Sequence, residues 1–190
     1  MDGTPATGPM LAELLARYRR QVQGDDALVD DFLALDRDGT PDPYRRARLA
    51  GHFTASALLV DRRGLRALLT HHRKLGLWLQ PGGHADGDRD LARVALREAT
   101  EESGLAGLSV LPEVFDIDRH WIPAHQDVPA HWHHDVRFVV RAGDREDFVV
   151  GEESHALAWR GIDDIAADPG MDASLRRMAR RWLGTTPSRA

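Results

Sequence analysis

The sequence predicts an α/β fold, and two observations carry that prediction. Apolar runs of strand length, such as Phe53 to Val60 and residues 131–140, are interleaved with stretches whose apolar residues recur at helical spacing. Between Leu75 and Leu105 a short strand, a glycine-rich loop and a helix follow one another, a unit expected where strands and helices form layers. At 190 residues the chain is expected to form one domain with an appendage: a helical extension over 1–45 and the main domain over 46–190.

Residues 1–8 are rich in Gly, Pro and Thr and read as an unstructured end. Leu11, Leu14, Leu15, Tyr18 and Val22 then mark a helix ended by Gly24. A second helix follows, capped by Asp25 or Asp26, with Leu28, Phe32 and Leu35 inward. The turn residues of DRDGTPDP close it. This extension reads as an extra helical layer on the core; a dimerisation arm, and with it a homodimer, or a substrate lid is the alternative. Tyr44, Arg45, Arg46 and Arg48 make a small basic cluster.

Phe53 to Val60 is apolar throughout, as a strand buried on both faces requires. The turn DRRG leads to a second strand near Leu65 to Thr70, and Leu75 to Gln80 forms a third. The stretch Gly82 to Leu105, GGHADGDRDLARVALREATEESGL, then carries the chemistry. Asp88 is the expected N-cap and Gly104 the left-handed stop. At 100° per residue, Glu98, Glu101 and Glu102 share one arc of about 100°, while Ala92, Leu96, Ala99 and Ser103 share another face. One face packs on a sheet and the other gathers three carboxylates. Crowded carboxylates repel and raise each other's pKa, and a divalent cation relieves that cost. Hard oxygen ligands suit Mg²⁺ or Mn²⁺, which keep positions open for water and phosphate.

Gly83, Arg97, Glu98, Ala99, Glu101, Glu102, Gly104 and Leu105 stand in the register of the Nudix box, which this stretch closely resembles. The first Glu of that box is Arg89 here. The resemblance implies a Nudix-type α/β/α sandwich with a mixed sheet, and Mg²⁺- or Mn²⁺-dependent hydrolysis of a nucleoside diphosphate linked to another moiety, or a related small diphosphate. It implies that Gly83, through its carbonyl, and Glu98, Glu101 and Glu102 hold metal, with Arg97 orienting the carboxylates. Asp88 or Asp90 is a candidate to replace the missing charge. A catalytically weak Nudix domain used for ligand binding is the alternative. An isomerase on the same fold is disfavoured, because the resemblance ties that chemistry to a cysteine and the chain has none.

Beyond the box, Leu108 to Asp118 reads as one or two strands. In PAHWHHDVRFVV, strand alternation puts His131, His133, Asp135 and Arg137 on one face and Trp132, His134, Val136, Phe138 and Val140 on the other, core face. The polar face is either solvent-facing or a substrate wall formed by His133, Asp135 and Arg137. A zinc site from His131, His133 and Asp135 is possible by ligand type. Phe148 to Val150 is short and is followed by Glu152 and Glu153. The resemblance makes Glu153 a candidate for activating water. HALAWR forms a last strand, Asp163 to Ala167 a short helix, and Met171 to Leu183 a final helix with Leu175, Met178 and Trp182 inward.

Charged residues make up 29% of the chain and hydrophobic ones 42%, values of a globular protein. The net charge of −5 argues against a nucleic-acid backbone as the main partner. No apolar run reaches membrane-spanning length, and the N-terminus lacks the basic and apolar regions of a signal peptide, so a cytoplasmic location is expected.

Overall fold

The computed structural model describes residues 10–73, 76–125, 128–151 and 154–185. The chain runs α1 (Leu11–Gln21), α2 (Asp26–Asp38), β1 (Gly51–Val60), β2 (Arg66–His72), β3 (Trp78–Leu79), β4 (Gly82–His84), α3 (Leu91–Ser103), β5 (Ser109–Val110), β6 (Asp116–Ile122), β7 (His131–Arg141), β8 (Ser154–Gly161), α4 (Ile162–Ala167) and α5 (Ala173–Thr185). The order expected from periodicity is present, with Leu108 to Asp118 resolving into two strands. β4 is an addition. The first residues of the glycine stretch pair antiparallel with β1, Gly82 opposite Ser56 and His84 opposite Thr54.

The sheet is mixed. β1 and β7 run parallel at its centre, from Gly51 opposite Trp132 to Val60 opposite Arg141. β2 pairs antiparallel with β1, β3 and β8 with β2, and β5 and β6 with β7. Parallel neighbours place residues of one parity on one face. Phe53, Ala55, Val136 and Phe138 therefore meet Val94 and Ala95 of α3, together with Leu15, Tyr18, Val29 and Phe32 of α1 and α2. Leu58, Val60 and Val139 point the other way, onto Ile162 and Ile165 of α4 and Leu175, Met178 and Trp182 of α5. Helices thus cover both faces, an α/β/α sandwich. Each large aliphatic side chain so buried contributes roughly 1.5–3 kcal/mol.

Both faces being covered corrects the reading of β7 as a strand with one open side. Asp135 and Arg137 are 1% and 2% exposed. The core parity is as expected at Val136, Phe138 and Val140. Trp132 departs from it: it lies half-buried at the sheet's end, its ring 5.0 Å from that of Trp121, with Arg119 across it. Residues 148–150 add no strand; Val149 N–H donates to Ser103 O at 2.8 Å, so that this segment crosses the C-terminal end of α3. No helix among the described residues is long and apolar enough to cross a membrane.

Candidate active site

α3 begins at Asp90, not at Asp88. The Asp90 carboxylate accepts the Arg93 N–H at 3.1 Å, while Asp88 accepts the Asp90 N–H at 2.9 Å and the Arg93 guanidinium at 2.6 and 2.9 Å. The Arg93 guanidinium holds Asp88 below the usual carboxylate range. The helix stops at Gly104, left-handed at φ 67°. Its buried stripe is Leu91, Val94, Ala95, Ala99 and Ser103; Ala92 and Leu96 are half-buried beside it.

That stripe turns the carboxylates towards β4. Gly82 N–H donates to Glu102 Oε1 at 2.8 Å. Arg97 reaches back with one Nη2, donating to His84 O at 3.0 Å and to Glu98 Oε1 at 2.8 Å. Glu98 lies so close over Gly83 that a Cβ there would stand 2.6 Å from the carboxyl carbon. A residue larger than glycine would displace the carboxylate. Glu101 is exposed. The three box glutamates do not form the tightest potential ligand group. Among the described residues, His52, His131 and His133 do, with one ligand atom from each within 4.8 Å of the others. Glu152 and Glu153 lie outside the described residues.

Arg89, where the box departs from its pattern, faces away from these carboxylates. Its guanidinium sits 4.5 Å from the Tyr44 ring centroid, 3.3 Å from Asp42 and 3.9 Å from Asp36. It ties the loop before α3 to the segment that follows α2.

The residues expected to form a substrate wall divide into two groups. His133 is half-buried in a histidine cluster at the start of β7. Asp135 and Arg137 belong to a closed charge network deeper in the sheet. Asp135 accepts from Thr54 Oγ1 at 2.9 Å, Ser56 Oγ at 2.7 Å and Arg137 Nε at 2.8 Å. Arg137 also meets Asp116 at 3.4 Å and Asp118 at 3.3 Å, and Arg177 and Arg181 of α5 reach Asp116 at 2.7 and 2.9 Å. Burial pushes Asp118 up, but the His120 hydrogen bond and the charges of Arg137 and Arg177 outweigh it and hold the carboxyl well below its ordinary range. Asp135 therefore does not join His131 and His133 as a ligand. His52 takes that place, because register sets it opposite His133. That residue was missed: one His in the lead of an apolar strand carries no signal until its neighbour is known. His84, opposite Thr54 on β4, was missed for the same reason.

Burial, with repulsion from His84 and His52, pushes the His133 imidazole down to about 2; burial and the nearby Arg46 push His84 down to about 4. Burial also lowers His52, against the hydrogen bond it gives the Arg48 carbonyl. These rings are neutral near pH 7.

A strand, a glycine turn and a helix whose carboxylates fold back over the turn define a phosphate-handling Nudix architecture, and comparison with known proteins agrees. The NUDIX domain matches residues 51–182. A Mycobacterium tuberculosis protein provisionally named 8-oxo-dGTP diphosphatase 3 is 30% identical over 179 residues, covering 85% of this chain and 72% of that one. A Nudix hydrolase from M. smegmatis superposes with a TM-score of 0.51 at 26% identity, over 74% of this chain and 91% of its own. An E. coli dihydroneopterin triphosphate pyrophosphohydrolase shares the fold at a TM-score of 0.57 and 16% identity, over 70% and 96%. The chain belongs to the NUDIX domain family. It is a hydrolase that cleaves a diphosphate bond.

Proposed function

We propose that the chain is a divalent-metal-dependent pyrophosphohydrolase acting on a nucleoside diphosphate linked to another moiety, or on a related small diphosphate. The observation that carries this is the contact of Glu98 with Gly83, which only glycine permits, in a turn whose neighbouring amide also fastens Glu102. The relative from M. tuberculosis supports a nucleotide substrate, since its name specifies a deoxynucleoside triphosphate.

The residues present suit Mg²⁺ or Mn²⁺. The donors are carboxylate and carbonyl oxygens, and the chain has no thiolate. Glu98, Glu101 and Glu102 would hold the ion, with the Gly83 carbonyl. When bound, it lowers the pKa of water and neutralises charge on the phosphate oxygens.

The protein's own groups do the rest. Arg97 bridges the Glu98 carboxylate to the carbonyl of His84 and so fixes helix against strand. Glu98, paired with Arg97, takes the proton from the attacking water in this reading. Glu153 is the second candidate for that step by its position after the box. Asp135 and Arg137 support the sheet beneath the site through their network, without an exposed surface of their own.

The test is release of phosphate or pyrophosphate from a panel of nucleoside diphosphate derivatives and nucleoside triphosphates, with Mg²⁺, Mn²⁺ or chelator. Turnover that needs the ion and falls at least about a hundredfold in Glu102→Gln supports the reading. Equal stabilisation of wild type and Glu102→Gln by Mg²⁺, measured as a melting shift, places the ion elsewhere.

A further inference from the structure

We propose that His52, His131 and His133 form a second metal site, for one divalent transition ion of the zinc class, on the face of the sheet opposite α3. It is separate in residues and in ligand chemistry from the carboxylates of the box, and does not depend on them.

Sheet register builds the cluster. Parallel pairing sets His52 of β1 opposite His133 of β7, and His131 lies two residues earlier on the same face. The ring centroids are 4.9 Å apart for His52 and His131, 4.9 Å for His52 and His133, and 5.0 Å for His131 and His133.

Two of the rings are oriented as metal-bound imidazoles are, by a carbonyl behind them. His131 Nδ1 donates to Pro129 O at 2.7 Å, and His52 Nδ1 to Arg48 O at 3.2 Å. Each bond fixes the tautomer and leaves Nε2 unprotonated, an acceptor that in His131 takes a hydrogen bond from the His133 Nε2. The Nε2 of His131 stands 3.1 Å from the Nε2 of His133. Two nitrogens at tetrahedral angles on zinc, each at ~2.0–2.1 Å, are about 3.3 Å apart. The Nε2 of His52 is buried with no hydrogen-bond partner, in a residue 1% exposed. An unpartnered buried lone pair is costly, and a shared cation removes that cost. One nitrogen from each of the three rings lies within 4.8 Å of the others.

The ligand set selects the ion. Three imidazoles with no carboxylate suit zinc, cobalt, nickel or copper and not Mg²⁺. The half-buried His84 adjoins the cluster, its ring centroid 5.0 Å from that of His133 and 5.1 Å from that of His52.

The experiment uses the untagged full chain, stripped with a chelator and titrated with Zn²⁺ against a chromophoric competitor in excess Mg²⁺. One equivalent should bind with Kd at or below about 10 µM. Co²⁺ in its place should give the visible bands of a four-coordinate site. His133→Gln, at a half-buried position, should weaken binding at least about tenfold. His131→Gln should do the same, with folding of both variants checked by circular dichroism. The double variant Glu98→Gln/Glu102→Gln should bind Zn²⁺ as wild type does. Binding weaker than the stated limit overturns the proposal. So does binding that survives in His133→Gln or disappears in the glutamate double variant.

Discussion

Gly82 and Gly83 are adjacent, and a methyl group at each would meet different things. At Gly82 it would stand 2.8 Å from Ser56 Cβ and 2.9 Å from the Ala55 carbonyl, which are fixed by β1. At Gly83 it would meet the end of the Glu98 side chain, which can swing away. Gly82→Ala should therefore lower stability by roughly 1–3 kcal/mol, as overpacking does. Gly83→Ala should leave the melting temperature nearly unchanged and lower kcat by at least about tenfold, or 1.4 kcal/mol. Paired melting curves and kinetics check the contrast. Arg89 invites a similar test. Arg89→Glu restores the family's residue but sets a carboxylate beside Asp36 and Asp42 and removes a cation from the face of Tyr44. It should lose about 0.5–1 kcal/mol in chemical denaturation, the scale of an exposed cation–π contact, and leave kcat no higher. The box itself was legible because its residues stand in one family register within a single stretch, its contacts joining α3 to a turn 13 to 20 positions earlier. The role of Arg89 was not, because its partners lie about fifty positions earlier and come into reach only on folding.

β7 is the element in which sequence and structure diverge most instructively. Alternation sorted its side chains correctly, but alternation says nothing of what covers each face. The odd positions were read as facing solvent or substrate; Asp135 and Arg137 are instead buried in a network to which α5 supplies Arg177 and Arg181 through Asp116. Removing one member of that network strands the others. Arg137→Met should destabilise by about 3–5 kcal/mol, the cost of breaking a buried ion pair, measured by urea unfolding. The start of the strand predicts a pH dependence. His133 and His84 titrate near 2 and 4 when folded and near 6.5 when unfolded. Below pH 6.5 the unfolded chain binds protons that the folded one refuses, so stability is complete above that pH and declines as pH falls towards 4. The slope is up to about 1.4 kcal/mol per pH unit for each histidine. Melting temperatures taken between pH 7 and 5 should fall, and should fall less in His133→Gln.

At the scale of the whole molecule, the extension before β1 shares the core of the sandwich. Phe32 is fully buried, its ring 6.0 Å from Phe53 and 5.1 Å from His134, and Tyr44 packs 4.9 Å from Phe53. Phe32→Ala should cost about 3–5 kcal/mol and lower the single unfolding transition of the entire chain. A separate early transition, with the sheet's own midpoint unmoved, would show the helices to be an independent unit. Their helical period was readable from the leucines; the partner of each apolar stripe was not, since either the sheet or a second subunit satisfies the same pattern.

The contact between Tyr18 and Arg181 joins residues 163 positions apart: the guanidinium donates to the phenol oxygen at 2.9 Å and to the Phe115 carbonyl at 2.7 Å. Tyr18 in turn donates to Asp25 at 2.5 Å. Helices from opposite faces of the sheet are thereby clasped around the edge where β5 gives way to β6. A pulling force applied at the two ends of the chain would load this clasp before it reached any strand. The first event in mechanical unfolding should then be the parting of α1 from α5, with the central pair of parallel strands still intact.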